Sequence, residues 1–359
     1  MAIAIKRIGI LTGGGDCPGL NAAIRAVVKA GIGIYNFEIF GIETGFEGLI
    51  KKLASPLPLE HVRGIINKGG TILGATRRHD PFHYQEKVGE ETRIVDFSQV
   101  VLRHAADLGL DALVVLGGDG TLTIAERLWK MGLPLVAIPK TIDNDLAGTD
   151  VSIGFRTAVM TAMEALDKLH STAESHHRVM VVELMGNKAG WIALESGISG
   201  GADVILIPEI PFSIEKACEK IEERKRLGRP FSMVVVSEGA KATGQQETYI
   251  DPKHNRLGGI SQHVATEIEN RSGMETRVLV LGHLQRGGSP ASFDRVLASR
   301  FGVHALGLIA RGEFGKMVAL RKAEVVAIPI RQAVAKLNAI DPSGDLAATA
   351  EALGISLGR

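Results

Sequence analysis

Short apolar runs alternate along the chain with amphipathic stretches of helical period. In the first half, Arg7–Thr12, Glu38–Ile42, Leu113–Leu116 and Pro134–Pro139 read as buried strands. Asn21–Ala30, with Ile24, Val27 and Val28 on one face, and Leu122–Trp129 read as helices. The second half repeats the alternation. Thr157–His170 is an amphipathic helix, Arg178–Asn187 a strand and loop, Ala189–Gly197 a helix and Asp203–Pro208 a strand. Ser213–Leu227 follows as a helix capped by Ser213, then Phe231–Gly239 and Thr276–Leu281 as strands. Phe293–Leu308 is helical and Val318–Ile330 is apolar strand material. Leu53–Pro58 and the polar His79–Arg93 read as loops, and the residues from Asp341 onward as a loosely packed helical tail. Strand–helix alternation of this kind predicts an α/β fold with two Rossmann-like three-layer αβα domains and mainly parallel sheets. Because no clean Pro/Ser linker interrupts the pattern, the domains are expected to exchange segments.

Composition narrows the function classes. A length of 359 residues fits two α/β domains, and 45% hydrophobic with 23% charged residues fits a soluble globular chain. A formal net charge of +1 gives no basic field for nucleic acid or membrane, and 4% aromatic content argues against a stacking platform for single strands. Two cysteines, Cys17 and Cys218, exclude a disulfide scaffold and favour a reducing, cytoplasmic setting. No apolar run approaches the roughly 20 residues that span a bilayer. The opening Met1–Ile10 runs into a strand and lacks the layout of a secretory signal. Glycine, at 43 residues, clusters where the apolar runs end.

Those glycine clusters carry the candidate chemistry. Gly117-Gly-Asp-Gly-Thr121 lies between a strand and a helix, and so reads either as an anion cradle or as a tight βα turn. As a cradle it would let Asp119 hold magnesium beside phosphates. Gly13–Gly19 is a second strand–glycine loop–helix unit. Phe46, between Gly45 and Glu47-Gly48, is either a packed ring or a face for a purine. Asn67–Arg78 joins glycines to the paired Arg77 and Arg78, which suit phosphate oxygens as well as a solvated surface. Directly after a strand, Lys140–Asp150 concentrates a lysine, threonines and three aspartates. Such carboxylates can divide between taking a hydroxyl proton and helping to hold metal. Phe231–Gly239 ends in a carboxylate, Glu238, and Gly282–Pro290 presents His283 and Arg286 as anion or sugar ligands. Cys17 reads as a small loop residue, since no local histidine would activate it.

Taken together, Gly13–Arg25, Gly117–Thr121, Thr141–Asp145, Val182–Gly186 and Gly282–Pro290 resemble the motifs of the 6-phosphofructokinase family, over about residues 7–312. The resemblance implies transfer of a phosphoryl group from ATP to the 1-hydroxyl of fructose 6-phosphate, the committing step of glycolysis, with Mg2+. It implies Asp143 as general base, Thr141 beside the moving phosphoryl group and Asp119 as metal ligand. Gly15, Phe46, Arg77, Arg78, Gly118, Asp119, Gly120 and Thr121 would hold ATP. The sugar-phosphate shell would comprise Thr141, Ile142, Asp143, Arg178, Met185, Gly186, Asn187, Glu238, Arg277, His283, Leu284, Gln285 and Arg286. Arg178 and Arg277 would reach a neighbouring subunit's site, which implies a homodimer or homotetramer. The implied domains are 1–154 plus about 268–316 for nucleotide, 155–267 plus about 317–340 for sugar phosphate, and a tail at 341–359.

Three positions bear on the phosphoryl donor. Gly120 stands where pyrophosphate-using relatives carry a second aspartate that would repel the α-phosphate of ATP. Lys140, in contrast, stands where those relatives have lysine and ordinary ATP enzymes glycine. Asn187 replaces a phosphate-binding arginine, and Lys140 is expected to supply the missing charge. The mixture resembles an ATP-dependent subgroup with glycine and lysine at these two places. A pyrophosphate-dependent enzyme and a catalytically silent regulatory subunit are the alternatives; a dinucleotide dehydrogenase is disfavoured by the glycine spacing. At positions resembling the bacterial effector site, Arg25, Lys29 and Arg229 are kept, while Leu59, His170 and Leu227 replace basic residues, so another effector or none is expected.

Overall fold

The computed structural model describes residues 5–76, 79–89, 91–252 and 256–359. In chain order the strands are β1 (Arg7–Thr12), β2 (Glu38–Ile42), β3 (Ala54–Pro56), β4 (Tyr84–Val88), β5 (Glu91–Val95), β6 (Ala112–Gly117), β7 (Leu135–Thr141), β8 (Ile153–Gly154), β9 (Val179–Leu184), β10 (Val204–Leu206), β11 (Ser232–Ser237), β12 (Tyr249–Asp251), β13 (Arg256–Leu257), β14 (Thr276–Val280), β15 (Lys316–Arg321) and β16 (Glu324–Pro329). The helices are α1 (Leu20–Tyr35), α2 (Phe46–Ile50), α3 (Ser98–Asp107), α4 (Asp119–Lys130), α5 (Phe155–His176), α6 (Trp191–Ser199), α7 (Ile214–Arg226), α8 (Ile260–Ser272), α9 (Ser292–Ala310), α10 (Ile330–Ala333) and α11 (Asp345–Ala352). Two units share the chain. The first holds the described residues of Met1–Thr141, Leu146–Arg156 and Arg286–Leu337; the second holds those of Ile142–Asp145, Thr157–Gln285 and Asn338–Arg359. Segments are therefore exchanged, as the missing linker predicts.

In the first unit the strand order is β3-β2-β1-β6-β7-β15-β16, with β8 paired to β7. The central strands run parallel, and β3 and β16 close the edges antiparallel. Every residue of β6 and of β7 is buried, which is why both read as continuous apolar runs instead of alternating ones. On one face α1 and α9 pack so closely that a Cβ on Gly302 would come within 2.8 Å of the Ala26 methyl. On the other, Val101, Leu122 and Leu128 of α3 and α4 cover Leu113, Val115 and Ala137 of the sheet. Burying each such aliphatic side chain stabilises by about 1.5–3 kcal/mol.

The second unit is built on a parallel sheet of order β10-β11-β9-β14. Ser213 caps α7 by accepting from the Lys216 N–H, as its position before the charged helix predicts. The end of the chain belongs to this unit and is not a loose tail. Ala347 and Ala350 of α11 are fully buried, and Ser356 N–H donates to the Asp203 carbonyl at 2.9 Å while Ser356 O accepts from Ile205 N–H at 2.9 Å.

Other expectations are corrected as well. Residues 317–337 lie in the first unit, because Lys316 and Met317 pair in register with Val136 and Ala137 and extend that sheet. Residues 268–285 lie in the second, because β14 pairs with β9. The described residues of the polar 79–93 stretch are not an irregular loop: β4 and β5 pair antiparallel, anchored by the buried Phe82 and Tyr84. Ala54–Pro56 is an edge strand against β2.

Candidate active site

Both sheets put their chemistry at the carboxyl ends of parallel strands, where strand order reverses. In the first unit β1 lies between β2 and β6, so the glycine loops after β1 and β6 flank that reversal. They touch: Gly13 N–H donates to the Leu116 carbonyl at 2.9 Å. A Cβ on Gly13 or Gly117 would fall 2.5 or 2.3 Å from Thr121 side-chain atoms, so the glycines are what lets Thr121 fold between the loops. Gly14 and Gly19 have φ of 78° and 111°, a region that costs other residues energy.

The 68–76 segment is tied to the first loop. Asn21 Nδ2 donates to the Lys68 and Gly69 carbonyls, Thr12 Oγ1 donates to the Gly74 carbonyl at 2.7 Å, and Gly14 N–H donates to the Thr76 carbonyl at 3.0 Å. A cleft of about 470 Å³ opens between the two, lined by Gly14, Gly15, Asp16, Gly70, Thr71 and Thr76. The buried Lys140 side chain, at the end of β7, donates from Nζ to the Gly15 carbonyl at 2.5 Å. Arg286, also buried, donates to the Asp16 carbonyl at 3.2 Å. Cys17 is enclosed beside them and hydrogen-bonds the Ile153 carbonyl; burial pushes its thiol up to about 12, which rules out a thiolate nucleophile. Arg77 and Arg78 lie outside the described residues.

Gly118 caps α4, and Asp119 and Gly120 open its first turn at the surface. Unpaired N–H groups and the helix dipole there favour an anion. A Cβ on Gly120 would meet nothing within 4 Å. Partial burial of the Asp119 carboxyl raises its pKa, so a cation beside it would be favoured. Among the described residues no group of three or more His, Cys, Asp or Glu could hold a metal ion. One carboxylate suits a magnesium ion that keeps its waters and arrives on phosphate oxygens.

In the second unit β9 lies between β11 and β14, and the same logic applies. Glu238, just after β11, accepts from Gly186 N–H at 3.2 Å and Asn187 N–H at 3.0 Å. Burial raises its pKa, the Asn187 bond opposes that, and the charge of nearby Asp143 raises it further. Asp143 is itself 8% exposed. Gly186 is irreplaceable locally, since a Cβ would sit 2.6 Å from the Ala189 carbonyl at a φ of 151°. Asn187 follows at φ 54°, a left-handed conformation that asparagine tolerates better than arginine does. Met185 is half-buried beside them, and His283 and Leu284 are exposed after β14.

Three residues expected to touch ligand have buried side chains. Phe46 is 3% exposed within the apolar cluster of Leu49 and Tyr84, so its ring is core and presents no stacking face. Gln285 is fully buried, with Nε2 donating to the Gly282 carbonyl, and shapes its loop from beneath. The Ile142 side chain is likewise fully buried. Arg178 precedes β9 and Arg277 is the second residue of β14. Both therefore lie at the opposite end of the sheet from Glu238, about 20 Å along the strand. There Arg178 Nε donates to Glu275 Oε2 at 2.8 Å and Arg277 also pairs with Glu275. The Arg178 bond holds the Glu275 carboxyl below its usual pKa.

Glu183 carries no role in the sequence reading, although it lies inside a quoted motif. It is 3% exposed and accepts from Gly259 N–H, Ser261 N–H and Ser261 Oγ, so it fixes the start of α8 against the end of β9. Asp294, fully buried, accepts from Gly154 N–H at 3.0 Å. For Glu183 the sequence signal is a charged residue inside an apolar run; Asp294, beside Arg295, carries no such signal.

Comparison with known proteins agrees with this geometry. The family model described as Phosphofructokinase matches residues 7–309. An ATP-dependent 6-phosphofructokinase of Chloroflexus aurantiacus is 49% identical over 359 residues, covering 100% of this chain and 99% of that protein. A pyrophosphate–fructose 6-phosphate 1-phosphotransferase of Amycolatopsis methanolica is 48% identical, covering 94% of this chain and 96% of the relative. The solved phosphofructokinase of Saccharomyces cerevisiae superposes with a TM-score of 0.78 at 32% identity, over 92% of this chain and 45% of that one.

Proposed function

The chain belongs to the phosphofructokinase family, and from that premise we propose that it is an ATP-dependent 6-phosphofructokinase. It moves the terminal phosphoryl group of ATP to the 1-hydroxyl of fructose 6-phosphate. The observation that carries the donor is Gly120, exposed in the first turn of α4 with no atom within 4 Å of where a Cβ would stand. Overall identity cannot carry it, since relatives of 49% and 48% bear names with different donors.

Phosphoryl transfer asks a protein chiefly for alignment and charge neutralisation. On this reading the first unit is the donor half. The N–H groups of the Gly13–Gly15 and Gly118–Thr121 loops receive phosphate oxygens, together with Arg77 and Arg78, and Lys140 adds positive charge at the Gly15 turn. Asp119 would hold Mg2+, which neutralises the phosphates when bound. A second set of residues serves the acceptor. Asp143 takes the proton of the attacking hydroxyl, with Thr141 beside the moving group. Glu238 accepts from sugar hydroxyls while the backbone N–H groups of Gly186 and Asn187 fix its other lone pairs. His283 and Arg286 bind the sugar phosphate.

The separation of Arg178 and Arg277 from Glu238 along the sheet supports a further step: they serve the site of a second copy, in a homodimer or homotetramer. Lys140 and Gly120 together favour the mixed-motif ATP subgroup; Lys140 alone favours pyrophosphate, the second reading. Initial rates with MgATP and with magnesium pyrophosphate separate the two. Turnover with MgATP is expected to dominate by at least about a hundredfold, and preferred use of pyrophosphate overturns the donor assignment. Asp143→Asn is expected to lower kcat about a thousandfold or more with little change in fructose 6-phosphate affinity.

A further inference from the structure

The residue after Asp143 is held in an unusual conformation. Asn144 is 3% exposed and has φ 53°, in the left-handed region. One residue from the far end of the sequence grips the backbone around it. Asn338 Nδ2 donates to the Asn144 carbonyl at 2.8 Å, and Asn338 N–H donates to the Asp145 carbonyl at 2.9 Å. Asn338 is itself fixed, because Trp191 Nε1 at the start of α6 donates to its carbonyl at 2.7 Å. Two residues on, Ile340 N–H donates to Glu209 Oε1 at 3.0 Å, and the same carboxylate accepts from Gly190 N–H. The strap at 338–340 is thus bolted to the loop before α6, and all these residues lie in the second unit.

Two consecutive carbonyls held from one residue fix the peptide planes after Asn144 and Asp145, the two residues that follow Asp143. A carboxylate followed directly by a residue that is held in a sparsely populated conformation keeps its direction without rearranging during the reaction. We propose that Asn338 is a positioning residue that sets the orientation of Asp143 through Asn144 and Asp145. Trp191 supports it by holding the Asn338 carbonyl. The inference rests on Asp143 acting as the base.

The test uses the full-length enzyme with Asn338→Ala, Asn338→Asp and Trp191→Phe. Asn338→Asp keeps the size and the backbone N–H but aims an acceptor at the Asn144 carbonyl, so packing alone would leave it harmless. Both Asn338 variants are expected to lose at least about tenfold in kcat while KM for fructose 6-phosphate and MgATP stays within about twofold. Hydrogen exchange in peptides spanning 141–147 is expected to quicken in both. Trp191→Phe, which keeps a ring but loses the donor, is expected to lose less, and it carries the test should the Asn338 variants fail to fold. Wild-type kcat in a folded variant, or a kcat loss with unchanged exchange at 141–147, overturns the proposal. Asp143→Asn measured alongside separates the two readings. If it keeps wild-type turnover, the base assignment falls, whereas a silent Asn338 beside an inactive Asp143→Asn removes only the positioning role.

Discussion

Lys140 donates its ammonium proton to the Gly15 carbonyl oxygen at 2.5 Å, although 125 residues separate the two. The bond fastens the end of β7 to the turn of the first glycine loop. It places a buried positive charge beside the cleft lined by Gly14, Gly15 and Asp16. On the proposed reading, with that charge fixed, the donor is decided at the other loop, by what occupies position 120.

Gly120→Asp is therefore expected to change the donor without harming the fold. The new Cβ meets no atom within 4 Å, and a carboxylate in the first turn of α4 suits the helix dipole. A second negative charge about 5 Å from a phosphate oxygen costs on the order of 3 kcal/mol at an effective dielectric near 20. kcat/KM for MgATP should fall by about a hundredfold or more, with thermal stability unchanged or raised. Steady-state rates and a melting curve of the variant check both halves; undiminished MgATP activity would remove Gly120 from the specificity argument.

Glu238, proposed to bind sugar hydroxyls, carries a charge that costs stability at neutral pH. Burial, and then the charge of Asp143, raise its pKa in the folded chain. Between the ordinary and raised values the folded state binds more protons than the unfolded one, so stability falls as pH rises through that window. Glu238→Gln keeps an acceptor for the Gly186 and Asn187 N–H groups and removes the charge. It is expected to raise the melting temperature at neutral pH, to do little near pH 4, and to weaken fructose 6-phosphate binding. Melting curves across that range test the sign; a destabilised variant at neutral pH contradicts it.

How much of this was legible follows from what each residue's signal depends on. The strand ends and glycine loops were readable because the close fold of the two loops around Thr121 demands glycine at fixed places, as at Gly13 and Gly117. Continuous apolar runs gave β6 and β7 because both faces of a parallel sheet are covered. Phe46 was not readable: a ring between glycines looks the same whether it faces a purine or a core, and burial in the core decided it. The pairing of β4 and β5 escaped because the side chains of β5 are almost all exposed and give no apolar periodicity. Asn338 escaped for a different reason. Its partners, Asn144 and Asp145, are engaged through their carbonyls, and a backbone acceptor has no sequence signature.

The turn between β15 and β16 contains a local conflict that a single substitution would relieve. Arg321 pairs with Glu324, so Lys322 and Ala323 form a two-residue loop, with φ of 48° and 72°. Hairpin loops of this kind prefer Asn-Gly, and a left-handed alanine costs about 1 kcal/mol. Ala323→Gly is expected to stabilise the chain by about 1 kcal/mol, opposite to the usual sign for this exchange. The Ala323 carbonyl that accepts from Arg300 is kept. Equilibrium urea unfolding measures the change, and a loss of stability would show that the turn is not strained.

Arg178 and Arg277 make the strongest test of a shared site. Both stand at the amino-terminal end of the second sheet, held by Glu275, while Glu238 stands at the carboxyl end. Opposite ends of a sheet about 20 Å apart are too distant for one small sugar phosphate to touch both. If the arginines serve a neighbouring copy, Asp143→Asn and Arg178→Ala damage different halves of each site. Coexpressed as a dimer with random pairing, half of the assemblies are mixed, and one of the two sites in each mixed assembly is intact. About a quarter of wild-type activity should then return, although each variant alone is nearly inactive. Separately tagged chains allow the mixed species to be purified and assayed. Activity no greater than the sum of the parent variants would place Arg178 outside the neighbouring site.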